Sequence, residues 1–100
     1  MRVEEIYFGE ANVLRSRLLD VESDPTPDRW VAAARQAAVL APLALERTRT
    51  QGKNPASPVG PQLTGVAAAE TARHVDDPEL CAEWGRITLQ ALDLCFNLPL

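Results

Sequence analysis

His74 is the single histidine of this 100-residue chain, and it stands four residues after Glu70. On a helix that spacing sets both side chains on one face. Asp76, Asp77 and Glu79 follow at once, and Cys81 comes two residues later. Two chemistries could use such a set. A Glu-x-x-x-His pair with neighbouring carboxylates is part of a divalent-metal site. Metal sites usually need three or four converging ligands, however, and nothing elsewhere completes a known ligand spacing. A cysteine in the first turn of a helix is the other possibility, because the helix dipole lowers a thiol pKa there. Catalysis would also need a base within hydrogen-bond reach and an oxyanion donor, and the sequence identifies neither. The simpler reading makes Glu70 and His74 a surface pair at a helix C-terminus, where an imidazolium is favoured. Cys81 and Cys95 then act as small apolar core residues. We therefore expect no catalytic, cofactor-binding or metal-binding residues. The alternative is a small enzyme or metal-binding protein centred on Glu70, His74, Asp77 and Cys81.

The remaining motifs are weaker. Asp20-Val21-Glu22-Ser23-Asp24 is acidic and Arg47-Thr48-Arg49-Thr50-Gln51-Gly52-Lys53 is basic, and each reads as a solvated helix end. As function, they would be electrostatic docking patches. The basic run is too small for nucleic acid, and no aromatic residues interleave with it for base stacking. Pro55, Pro58 and Pro61 repeat at the polyproline II period, which stiffens a loop or offers a peptide ligand. There is no phosphate loop, dinucleotide fingerprint or serine elbow.

Composition narrows the classes further. A length of 100 residues suits one domain, and an apolar share of 46% is that of a folded globular protein. The net charge of −4 disfavours a nucleic-acid surface, which needs clustered positive charge. It also disfavours DNA binding by a helix-turn-helix. Nine arginines against one lysine, with abundant alanine, associate the chain with a GC-rich bacterial genome. No apolar run reaches the ~20 residues of a membrane span, and no signal-peptide pattern opens the chain. Cys81 and Cys95 lie roughly 21 Å apart along one predicted helix, too far for a disulfide. Two reduced thiols in a cytoplasm are expected.

These residues must be positioned by helices. The sequence predicts an all-α bundle of four, over about 3–21, 27–50, 64–75 and 78–97, in a single domain spanning 1–100 with a Gly/Pro loop at 51–62. Val3, Tyr7, Ala11, Leu14, Leu18 and Val21 form the first stripe, widened by Ile6 and Val13. Thr26-Pro27-Asp28 and Asp77-Pro78-Glu79 are helix starts, with an N-cap, a proline at the first position and an acid behind it. The second helix passes Ala37 to Leu45 without a polar side chain, which predicts a central rod enclosed by its neighbours and kinked at Pro42. In the fourth, Leu80, Trp84, Ile87, Ala91, Leu94 and Leu98 form the predicted core stripe, with Trp84 and Leu14 as buried core residues.

Phe8 and Leu19 fall off the first stripe, and Leu89 and Phe96 fall off the fourth. Exposed apolar residues mark partner surfaces. With no catalytic kit, these four are the expected partner-binding residues of a non-enzymatic interaction module: an adaptor, a small regulatory subunit or an inhibitor-like partner. The expected partner is a protein or a second copy in a homodimer, with no nucleic acid and no membrane.

Overall fold

The computed structural model describes residues 2–51 and 59–96. Those residues form an all-α bundle with four helices and no strand: α1 (Val3–Ser23), α2 (Pro27–Thr50), α3 (Val59–Arg73) and α4 (Pro78–Asp93). Residues 52–58 of the predicted loop, including Pro55 and Pro58, lie outside the described residues. So do Asn97, Leu98 and the rest of the C-terminal end.

Both predicted helix starts form by side-chain capping. The Thr26 hydroxyl accepts from the Arg29 amide at 3.4 Å, and an Asp77 carboxylate oxygen accepts from the Leu80 amide at 3.1 Å. Each proline follows its cap, where the missing N–H is no loss. The same reasoning explains why α3 begins at Val59, five residues before the predicted start at Thr64. Pro61 is its third residue, and the first-turn amides of a helix have no intrahelical acceptor to lose. α4 ends at Asp93, and a turn carries the chain through Leu94–Phe96.

α2 runs unbroken through Pro42 and is the central helix. α3 and α4 pair with each other, α2 packs across both, and the backbone of α1 lies against α2 alone. The predicted all-round enclosure of α2 is corrected in one respect: Val39 and Pro42 remain exposed on its outer side. That exposure also accommodates the proline, because the carbonyl one turn earlier loses its intrahelical donor on the side nearest solvent.

The core forms two neighbouring clusters. One joins Tyr7 and Leu14 of α1 to Ala37, Leu40, Ala41 and Ala44 of α2 and to Leu92 and Cys95. The other gathers Val21, Trp30, Val31, Ala33 and Cys81. Leu14 is buried as predicted. Trp84 is only half-buried, and the reason lies in how α3 meets α4.

Candidate protein-docking face

α4 and the turn that follows it carry two stripes side by side. Leu80, Trp84, Ile87, Ala91 and Leu94 make the one that hydropathy selects. Cys81, Gly85, Thr88, Leu92 and Cys95 make the other, one residue further on. The structure buries the second stripe throughout and leaves Ile87 and Leu94 exposed. The facing stripe of α3 is equally small: Thr64, Ala67, Ala68 and Thr71 are buried, with Gly60 at its start. Small side chains let two helices approach closely, and backbone contact then replaces side-chain bulk. A β-carbon at Gly60 would fall 2.7 Å from the Cys95 sulfur, and one at Gly85 would overlap the Trp30 ring of α2. The predicted α4 core stripe is thus corrected. The smaller stripe goes in together with Leu92, whereas Ile87 and Leu94 turn out and Leu80 and Trp84 are half-buried.

The buried hydroxyls are satisfied locally. Thr64, Thr71 and Thr88 donate to the carbonyls of Gly60, Ala67 and Trp84, four residues back, at 2.7, 2.8 and 2.8 Å. Thr71 and Thr88 also meet each other at 3.3 Å across the seam. Polar side chains are therefore buried here without orphaned donors.

The outward stripes of α3 and α4 form an apolar groove of about 470 Å³. Leu63 and Val66 wall it on one side, and Trp84, Ile87 and Leu94 wall it on the other. Ala67 and Ala91, both buried, form its floor. Val66 is 61% exposed and Leu94 50%. At one end the His74 ring stacks on Trp84, with centroids 6.4 Å apart and planes 11° from parallel. The edge of the groove is polar. Glu70 and Arg73 pair at 3.2 Å on α3, and Glu83 and Gln90 stand exposed on α4.

The four residues expected to bind a partner do not form one face. Phe8 is 50% exposed and Leu19 58%, while Phe96 is partly exposed. Phe8 and Phe96 both reach Tyr7, edge to face, at 5.2 and 6.2 Å. The Arg47 guanidinium covers Tyr7 and Phe8 at 4.9 and 5.1 Å, so this aromatic group is already capped by a cation. Leu19 lies three turns further along α1. Leu89 is not spare: it is half-buried and packs against both core clusters. Sequence reasoning missed Leu63, Val66, Ile87 and Leu94 as surface residues. The available signal was the run of Cys, Gly and Thr at helical spacing, which marks a close helix contact.

The residues with chemical potential make local contacts within the bundle. His74 Nδ1 lies 2.8 Å from the Glu70 carbonyl oxygen. A carbonyl only accepts, so Nδ1 carries the proton there, and the Glu70 carboxylate lies 3.6 Å away. This is the helix-end pair expected from the i,i+4 spacing. The Cys81 thiol is buried, and the carbonyls of Thr71 and Pro27, at 3.4 and 3.6 Å, are the acceptors in reach of its one proton. Burial pushes its pKa up, and the charges of Asp28 and Asp77 push it further the same way. The lowering expected from the helix dipole is therefore outweighed. Burial also raises the Cys95 thiol, against an opposing hydrogen bond from Thr64. Among the described residues, no group of three His, Cys, Asp or Glu side chains converges as metal ligands would. No helix among them is long and apolar enough to cross a membrane.

No family model matches this chain, and no curated protein or solved structure matches it.

Proposed function

We propose that the protein is a non-enzymatic protein–protein interaction module that docks a helical partner in the outer groove between α3 and α4. The observation that carries this reading is the exposure of Leu63, Val66, Ile87 and Leu94 together, around one groove, with Trp84 at its end. Contiguous exposed apolar side chains rimmed by polar residues are characteristic of interaction surfaces. A half-buried tryptophan is also a frequent anchor of such surfaces. The spacing favours a helix as the occupant, because side chains stepping by four and three form the seam that one helix presents to another. The satisfied, protonated environment of Cys81 and the helix-end role of His74 supply no activated nucleophile that would favour the enzyme reading. Both cysteines are free and buried, which suits a reducing compartment.

The test is a comparison of captured partners. Tagged wild-type protein and a Val66→Glu variant are used as baits in parallel, with Phe8→Ser as a control on another surface. Val66 is exposed, so the glutamate leaves the fold intact. The reading requires proteins that wild type and Phe8→Ser both retain and Val66→Glu loses. Identical sets from all three baits would overturn it.

A further inference from the structure

We draw no further inference here: the strongest candidate, the apolar groove between α3 and α4 walled by Leu63, Val66, Ile87 and Leu94, belongs to the docking face already described, and nothing in the structure shows what covers it.

Discussion

Gly85 shows how one missing side chain organises the packing of two helices. It lets the Trp30 ring of α2 rest against the backbone of α4, and the position that a β-carbon would take lies 2.3 Å from a ring carbon. An indole ring cannot yield as the tip of a flexible chain can. Gly65, in the neighbouring helix α3, has no foreign atom within 4 Å of the same position. Glycine in a helix interior costs up to ~1 kcal/mol relative to alanine. The same substitution should therefore have opposite signs at the two sites. Gly65→Ala should stabilise by a few tenths to about 1 kcal/mol, and Gly85→Ala should destabilise by about 1–3 kcal/mol through overpacking. Denaturant unfolding with a shared m-value would measure both. A stabilising Gly85→Ala would show that Trp30 does not need the space.

At the scale of the helix, the choice between two adjacent stripes decides what is core and what is surface. The helices themselves were legible: the periodic stripe of α1, the Thr26 and Asp77 caps and the continuity through Pro42 can all be read from local sequence. The facing of α4 could not be read that way. Hydropathy ranks Leu80, Trp84, Ile87 and Leu94 above Cys81, Gly85 and Thr88, but burial is set by how closely α3 and α2 can approach. That approach depends on Gly60, Thr64, Thr71 and Ala33, distant in sequence and small in volume. The docking groove was hidden for the same reason, since its α4 wall was assigned to the interior. Leu92 and Leu94 make the distinction measurable. Leu92 is 4% exposed in the core cluster with Leu14 and Leu40, whereas Leu94 lines the open groove. Leu92→Ala should cost about 2–5 kcal/mol. Leu94→Ala, measured on monomer at low concentration, should stay within about 0.5 kcal/mol of wild type. Equal losses at the two positions would return the large stripe to the core.

Across the whole molecule, the helices differ in how many neighbours hold them. α2, α3 and α4 contact one another, so each is held by at least two others, but the backbone of α1 lies against α2 alone, with Tyr7 also reaching Phe96 in the turn after α4. Its fully buried residues, Tyr7, Leu14 and Val21, recur only once every seven positions, with Ala11 and Leu18 partly covered between them. Ile6, Phe8, Val13 and Leu19 stay exposed. Polar links add to this narrow seam at separate points. Gln36 donates to the Glu10 carbonyl at 2.9 Å, and Arg29 donates to the Asp20 carbonyl at 3.1 Å. Regions with few packed neighbours open at lower free energy than the core they lie on. α1 should therefore detach before the α2–α3–α4 unit unfolds. Native-state hydrogen exchange should show the amides around Leu14 exchanging at least about tenfold faster than those around Ala37 and Thr88, a gap of about 1.4 kcal/mol. The docking groove lies on the outer side of α3 and α4, away from the core cluster that Leu14 shares with Leu92. A variant that loosens α1, such as Leu14→Ala, should consequently widen the exchange gap and leave association through the groove unchanged. If amides in all four helices instead exchange at one common free energy, the molecule opens as a single cooperative unit and α1 is an integral part of it.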